Sequence, residues 1–132
     1  MSPFFIFKRM KNLITLLLLI SLSCNTTQKE EKTSSPTISK RVGLEEFKKI
    51  IADSDVQLVD VRTPREYEGG FINNAINIDF LDESFISSCN KLDKTKPVAI
   101  YCAAGGRSAK AMEKLKEAGF TEIYELGVGY KG

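Results

Sequence analysis

From about residue 42 onward, short apolar runs alternate with amphipathic or turn-forming segments. The apolar runs predict four strands, "VQLVDV", "NAINIDF", "KPVAIYC" and "TEIYEL". The segments around them predict helices, "VGLEEFKKIIAD", "TPREYEGG", "LDESFISSCNKLD" and "RSAKAMEKLKEAG". Strands separated by helices of this length indicate an α/β fold, an open parallel sheet with helices on both faces. In such sheets, functional sites form beyond the carboxyl ends of the strands.

The first 23 residues have a different pattern. Lys8, Arg9 and Lys11 precede the apolar run "LITLLLLISL", and small residues follow it. This order is typical of a secretory signal peptide. The run is too short for a membrane-spanning helix, which needs about 20 apolar residues. We therefore predict a signal peptide over residues 1–23, with a buried core helix as the alternative.

The end of this segment, "LISLSC", resembles the lipobox of bacterial lipoproteins. The resemblance implies that Cys24 is the lipidated first residue of the mature chain; the alternative is an ordinary signal peptide followed by an incidental cysteine. Residues 25–40 contain one apolar residue, Ile38, too few to bury a core. We predict a flexible tether over 24–40, a folded domain over 41–132, and a lipid-anchored location in the bacterial cell envelope, on the periplasmic or outer-surface side.

Charge argues against a nucleic-acid partner once the signal peptide is set aside. Only 16 of the 19 Lys and Arg residues, but all 17 Asp and Glu residues, lie after residue 23, so the formal net charge changes from +2 to −1. No basic patch with interleaved aromatic residues remains. We expect no nucleic-acid partner, a monomer, and contact with the membrane through the lipid alone.

The cysteines carry the candidate chemistry, because the chain contains no histidine. Cys–His dyads, Ser–His–Asp triads and histidine metal sites are thereby excluded. Cys89, in "FISSCNKL", is expected to be a small buried side chain. Cys89 and Cys102 lack the paired spacing of zinc ligands, so we expect no metal site, and their surroundings argue against a disulfide.

Cys102 begins a loop without bulky side chains, "CAAGGR". Gly105 and Gly106 can adopt positive φ angles, so that successive backbone N–H groups converge on an anion, next to a helix that begins near Arg107. Such a cradle lowers the pKa of a cysteine below its free value of about 8.5. The loop therefore predicts a thiolate nucleophile; the alternative is an inert buried cysteine.

Two separate motifs resemble the single-domain rhodanese family. The first is "LVDVRTPREYEGGFINNAINI" and the second is "VAIYCAAGGRSAKAMEKLKEAGF", followed by the closing strand and turn "EIYELGVG". The resemblance covers residues from about Val42 to the end. It implies a rhodanese-like open parallel sheet of about five strands. Within the first motif, Phe71 and Asn74 replace the histidine and the glycine that the family often has.

The resemblance also implies a function, sulfur transfer by way of a cysteine persulfide, without a metal or an organic cofactor. Cys102 is then the nucleophile that accepts a sulfane sulfur. Asp60 and Arg62 are either supporting residues at a neighbouring strand end or a structural ion pair. The backbone N–H groups that hold the thiolate or persulfide belong to Ala103, Ala104, Gly105, Gly106 and Arg107.

Loop length separates the possible chemistries. Four residues lie between Cys102 and Arg107, as in sulfur-transferring rhodaneses, whereas the related phosphatases and arsenate reductases have one more. Ala103 and Ala104 bring no charge, so a persulfide, a polysulfide or a protein donor is as credible as thiosulfate, with cyanide, a thiol or a protein as acceptor. The alternatives are a low-turnover sulfur- or redox-binding module that serves a partner protein and, third, a phosphatase-like hydrolase.

Overall fold

The computed structural model describes residues 37–132. The predicted signal peptide, Cys24 and most of the predicted tether lie outside the described residues. The elements are β1 Ile38–Val42, α1 Leu44–Ile51, β2 Gln57–Asp60, α2 Pro64–Glu68, β3 Ile76–Asn77, α3 Phe85–Cys89, β4 Val98–Tyr101, α4 Gly106–Glu117 and β5 Glu122–Leu126. Within residues 37–132, no helix has the length and apolar character needed to cross a membrane.

The five strands form one sheet in the order β1-β5-β4-β2-β3, and every pair of neighbours is parallel. This confirms the predicted α/β fold with an open parallel sheet. All four residues of β4 are buried, because this strand lies at the centre of the sheet. The cysteine loop follows its carboxyl end directly, so the buried central strand supports the loop.

The two faces of the sheet carry separate hydrophobic clusters. Val98 and Ile100 of β4 pack with residues of α3 and α4, whereas Ala99 and Tyr101 point to the other face and pack with Phe47 of α1. This alternation is the period-two geometry of a strand. The helices therefore cover both faces, as the sequence pattern predicts.

β1 is a strand that the hydrophobic pattern does not reveal. It begins at Ile38, so the last three residues of the segment predicted as tether, 38–40, belong to the sheet instead. β1 is an edge strand that pairs only with β5, and of its side chains only that of Val42 is fully buried. An edge strand held by main-chain hydrogen bonds needs no alternation of apolar residues. The sequence "ISKRV" therefore has the pattern of a polar linker although it forms a strand.

Candidate active site

The cysteine loop closes tightly around the sulfur of Cys102. The backbone N–H of Gly105 donates to Cys102 Sγ at 3.1 Å. Gly105 has a φ of 85°, and a Cβ there would collide with the carbonyl oxygen of Gly127. Gly106 starts α4 with ordinary helical geometry and open space where a Cβ would be. Of the two glycines expected to permit the turn, Gly105 is thus the one that the turn requires.

Cys102 has a lowered thiol pKa although it is buried. Burial raises the pKa, while the hydroxyl of Ser108 and the backbone N–H groups of Ser108, Ala104 and Gly105 lower it by hydrogen bonding, and the net direction is downward. Hydrogen bonds to the charged form are the physical cause. These hydrogen bonds favour a thiolate on Cys102.

Arg107 braces the loop against α2. Its Nη1 and Nη2 each lie 2.7 Å from a carboxylate oxygen of Glu66, a bidentate arrangement. The hydrogen bond from Arg107 is the main cause that lowers the pKa of Glu66 to about 2. Glu66 is itself held by the backbone N–H of Thr63 in a capping box at the start of α2. The charge of Arg107 is thus largely compensated within the protein.

A second arginine–glutamate pair supports the loop from behind. Arg41 Nε lies 3.1 Å from Oε2 of Glu125, and Arg41 Nη2 donates to the carbonyl oxygens of Gly127 at 3.0 Å and Gly105 at 3.4 Å. Glu125 is completely buried. Its Oε1 accepts a hydrogen bond of 2.6 Å from the hydroxyl of Ser108, so this carboxylate is separated from the Cys102 sulfur by a single hydroxyl group.

Asp60 and Arg62 form a buried ion pair at the end of β2. Arg62 Nη2 lies 2.6 Å from Asp60 Oδ2 and also donates to the carbonyl oxygen of Gly70 at 2.6 Å. The guanidinium stacks on the ring of Tyr130, 4.1 Å from its centroid, and the backbone N–H of Tyr130 donates to the carbonyl oxygen of Cys102 at 2.8 Å. The pair therefore supports the site through the turn after β5, and it makes no hydrogen bond to Cys102 within the described residues.

A pocket of about 370 Å³ opens over Cys102. Arg107 at its wall is paired with Glu66, whereas Lys110 forms no ion pair with any residue in the range 37–132. Lys110 therefore supplies the uncompensated positive charge of this pocket. Its remaining lining residues are Phe80, Leu81, Ala103, Ala104 and Gly106.

Cys89 and Cys102 are both free thiols. Cys89 lies in the core cluster between α3 and the sheet, and burial raises its pKa to about 11. In the part of the chain that the structure describes, no three cysteine, aspartate or glutamate side chains come together as metal ligands.

Sequence reasoning missed several residues of the site. Ser108 and Lys110 follow Arg107 at the start of α4, where helical spacing would have brought them towards the loop. Glu125 and Arg41 carried no comparable signal, because β1 was not predicted and a glutamate in a strand ordinarily faces solvent.

The sequence and the fold match a known family. The family model of the rhodanese-like domain matches residues 43–132. The chain belongs to the rhodanese-like family. Solved structures agree, since a rhodanese-like domain protein from Staphylococcus aureus superposes with a TM-score of 0.60 at 34% identity, over 68% of this chain and 86% of that one.

Curated relatives of this rhodanese-like chain include proteins of two kinds. The chain is 33% identical over 92 residues to the thiosulfate sulfurtransferase GlpE of Coxiella burnetii, covering 70% of this chain and 84% of that protein. It is 38% identical over 84 residues to the tRNA uridine(34) hydroxylase of Pelagibacter ubique, covering 63% of this chain. It spans only 28% of the length of that hydroxylase.

Proposed function

We propose that this rhodanese-like protein is a sulfurtransferase of the bacterial envelope, in which Cys102 accepts a sulfane sulfur as a persulfide and passes it to a thiophilic acceptor. The observation that carries the proposal is the position of Cys102, which lines the pocket and whose Sγ accepts the backbone N–H of Gly105 at 3.1 Å. A buried cysteine with a lowered pKa and an opening to solvent has the features of a nucleophile.

Each half of the reaction balances without a cofactor. The Cys102 thiolate attacks the sulfane sulfur of the donor, the new S–S bond forms, and sulfite or a thiolate leaves with the electron pair of the broken bond. The acceptor, such as cyanide, a thiol or a protein thiol, then attacks the outer sulfur, and Cys102 leaves as the thiolate. The hydrogen bonds that stabilise the thiolate as nucleophile also stabilise it as leaving group.

The size of the loop favours sulfur over phosphorus. The four residues between Cys102 and Arg107 place the N–H of Gly105 on Sγ itself, which leaves less room for a tetrahedral phosphate above the sulfur. The 84% coverage of a thiosulfate sulfurtransferase supports the same choice. The hydroxylase relatives bear less on it, because this chain matches a smaller part of them.

The uncompensated charge of Lys110 suggests an anionic donor. Thiosulfate, polysulfides and persulfides are all anions, and Lys110 at the pocket wall can attract them although Ala103 and Ala104 carry no charge. Lys110 thus supplies the pocket with a positive charge that Ala103 and Ala104 do not bring.

A low-turnover sulfur-binding module that serves a partner protein is the second candidate. The observation in its favour is that Glu66 compensates the charge of Arg107, so the loop itself offers little attraction for a small anionic donor. In that case Cys102 would load slowly with thiosulfate and quickly from a protein persulfide.

Intact mass spectrometry of the full-length chain after incubation with thiosulfate or a polysulfide tests the proposal. We expect the mass of one added sulfur on the wild type and on Cys89→Ala, and none on Cys102→Ala. Release of the sulfur to cyanide as thiocyanate, at many turnovers per chain, would favour the enzyme over the module. If no donor adds sulfur to Cys102, the sulfurtransferase proposal fails.

The envelope location depends on Cys24. We propose that Cys24 carries the lipid and that residues after it tether the domain to the membrane. An inhibitor of lipoprotein signal peptidase should block maturation of the wild-type chain, and Cys24→Ser should carry no lipid and show no inhibitor-sensitive maturation. Normal maturation with the inhibitor present would show that an ordinary signal peptide is removed instead.

A further inference from the structure

The Cys102 thiol shares one hydrogen-bond donor with a buried carboxylate. The hydroxyl of Ser108 lies 3.3 Å from Cys102 Sγ and 2.6 Å from Oε1 of Glu125. Both Ser108 and Glu125 are 0% exposed. A serine hydroxyl has a single hydrogen, and 2.6 Å is the length of a charge-assisted O–H···O⁻ bond. The hydrogen is therefore directed mainly to Glu125, and Sγ receives the smaller share.

The charge of Glu125 is only partly compensated. Arg41 Nε lies 3.1 Å from Glu125 Oε2, but the Arg41 side chain is 54% exposed and that of Glu125 is 0% exposed. Solvent screens the exposed cation more than the buried anion. A net negative field therefore remains beside Ser108, and it raises the free energy of a second negative charge on Sγ.

We propose that Glu125 is a positioning residue that acts through Ser108 to disfavour the Cys102 thiolate relative to the Cys102 persulfide, and thereby favours the sulfur-loaded state. The inference rests on the proposed function. When Sγ attacks the outer sulfur of a donor R–S–S⁻, the Sγ–S bond forms, the donor S–S bond breaks and RS⁻ leaves with its electron pair. The protein carries the same number of negative charges before and after the step.

What changes is where that charge lies. In the persulfide the negative charge is on the outer sulfur, one S–S bond of about 2 Å away from Sγ. Ser108 and Glu125 are buried and do not line the pocket, whereas Cys102 does, so an outer sulfur that enters the pocket moves the charge away from Glu125. Sγ no longer competes for the Ser108 hydrogen, and the repulsion from Glu125 decreases.

The other charged groups near the sulfur act from the pocket. Arg107 and Lys110 face the sulfur from α4 and the pocket wall, and Asp79 acts on Arg107. These cations favour an anion on Sγ and also an anion on the outer sulfur, so they do not oppose the preference that Glu125 creates. Among the described residues, Glu125 is the charged group that a hydroxyl connects to Sγ.

Glu125→Gln is the direct test, made on the full-length chain. The glutamine amide can donate to Ser108 Oγ, which turns the hydroxyl hydrogen towards Sγ. We expect the pKa of Cys102, measured from the pH dependence of iodoacetamide alkylation mapped to Cys102 by mass, to fall. At a pH above that pKa, the ratio of persulfide to thiolate in a fixed mixture of glutathione persulfide and glutathione should decrease by about tenfold.

Three further variants keep the test decisive. Glu122→Gln, on the same strand but bonded to the Tyr124 hydroxyl, should change neither quantity. In a Ser108→Ala background the effect of Glu125→Gln should shrink severalfold, because the connecting hydroxyl is absent. If Glu125→Gln does not fold, Glu125→Asp withdraws the carboxylate from Ser108 while keeping its charge, and it should lower the Cys102 pKa to a smaller extent.

The outcomes separate this inference from the proposed function. An unchanged or raised pKa in Glu125→Gln, or a lowered pKa without a change in loading, overturns the inference while sulfur transfer stands. If wild-type Cys102 takes up no sulfur, the proposed function fails and the loading bias with it, and a lowered pKa in Glu125→Gln would then support only the effect of Glu125 on the thiolate.

Discussion

Cys102 and Cys89 are equally buried and belong to the same core cluster, yet their thiols are opposite in character. Each side chain is 1% exposed. Burial raises the pKa of Cys89 to about 11, whereas hydrogen bonds outweigh burial at Cys102 and lower its pKa. The difference lies in the donors: the Ser108 hydroxyl and backbone N–H groups of the loop act on the Cys102 sulfur, whereas apolar side chains of the core surround Cys89. The direction of each pKa shift therefore follows from these donors, and burial alone does not determine it.

The largest effect that this comparison predicts is in alkylation. At pH 8, iodoacetamide should modify Cys102 at least about a hundredfold faster than Cys89, because two units of pKa correspond to about a hundredfold difference in thiolate fraction. Peptide mapping by mass spectrometry over time measures both rates in the same chain. Equal rates at the two cysteines would contradict the assigned donors.

Disrupting the turn at Gly105 should slow the alkylation of Cys102 and bring its rate closer to that of Cys89. An alanine there must adopt a φ of 85° and collides with the carbonyl oxygen of Gly127. We expect Gly105→Ala to lower the free energy of unfolding by at least about 2 kcal/mol and to slow alkylation of Cys102. Denaturant unfolding and alkylation at the same pH measure the two effects.

Gly106→Ala is the matched control for stability. It adds the same methyl group one residue later, where φ is helical and no atom lies within 4 Å of the new Cβ. Its free energy of unfolding should stay within about 1 kcal/mol of the wild type. If both substitutions lower the free energy of unfolding by the same amount, the turn does not specifically require glycine at position 105.

The features that the sequence predicts well are the local ones. The apolar run of β4, the small residues after Cys102 and the amphipathic pattern of α4 each lie within about a dozen residues, and propensity and periodicity act at that range. The helix start near Arg107 is local in the same sense, whereas its partner Glu66 lies 41 positions earlier and was not predicted. Neighbouring strand ends also placed Asp60 and Arg62 near the site, since parallel strands end at one edge.

The features that escaped prediction depend on contacts between distant parts of the chain. Arg41 reaches Glu125 only because β1 pairs with β5, and the polar sequence of β1 contains no sign of that pairing. Glu125 appears as an ordinary charged residue until the sheet buries it completely. Buried charges and their partners follow from tertiary topology, and a single sequence carries little information on them.

The two cysteines also differ in access to the pocket, which Cys102 lines and Cys89 does not. Substituting Lys110 tests how the charge of this pocket affects Cys102. Lys110→Ala should slow sulfur loading of Cys102 from thiosulfate by about threefold to tenfold, because it removes the uncompensated cation of the pocket. Loading from a persulfide with an uncharged side chain, such as hydroxyethyl persulfide, should slow less.

Lys49→Ala provides the control for net charge, since Lys49 is an exposed residue of α1 with no ion pair among residues 37–132. It should leave both donors unaffected. A loss of the same size in Lys49→Ala would assign the effect of Lys110 to overall charge, and raising the salt concentration should reduce the wild-type rate with thiosulfate towards that of Lys110→Ala.

The smallest expected effect concerns the ion pair between Arg107 and Glu66, which holds the loop next to Cys102. Cys89 has no such ion pair beside it in the described part of the chain. The pKa of Glu66 is lowered from 4.5 to about 2, chiefly by Arg107. Because the folded-state pKa is the lower one, the pair stabilises the fold fully above about pH 4.5, and this contribution is lost as the pH falls towards 2. Since about a third of the Glu66 side chain is exposed, we expect Glu66→Gln to cost no more than about 1 kcal/mol at pH 7.

Denaturant unfolding at pH 7 and near pH 2 measures that cost. The difference between wild type and Glu66→Gln should be present at pH 7 and vanish near pH 2, where the wild-type carboxyl is increasingly protonated and the pair is weakened. Glu68→Gln, two residues further along α2 and outside any ion pair in the described chain, should show no such dependence. If the two proteins differ in free energy of unfolding by the same amount at both pH values, Glu66 holds the loop through its packing and its capping box. Neither of these contributions requires the negative charge of the carboxylate, whereas the ion pair with Arg107 does.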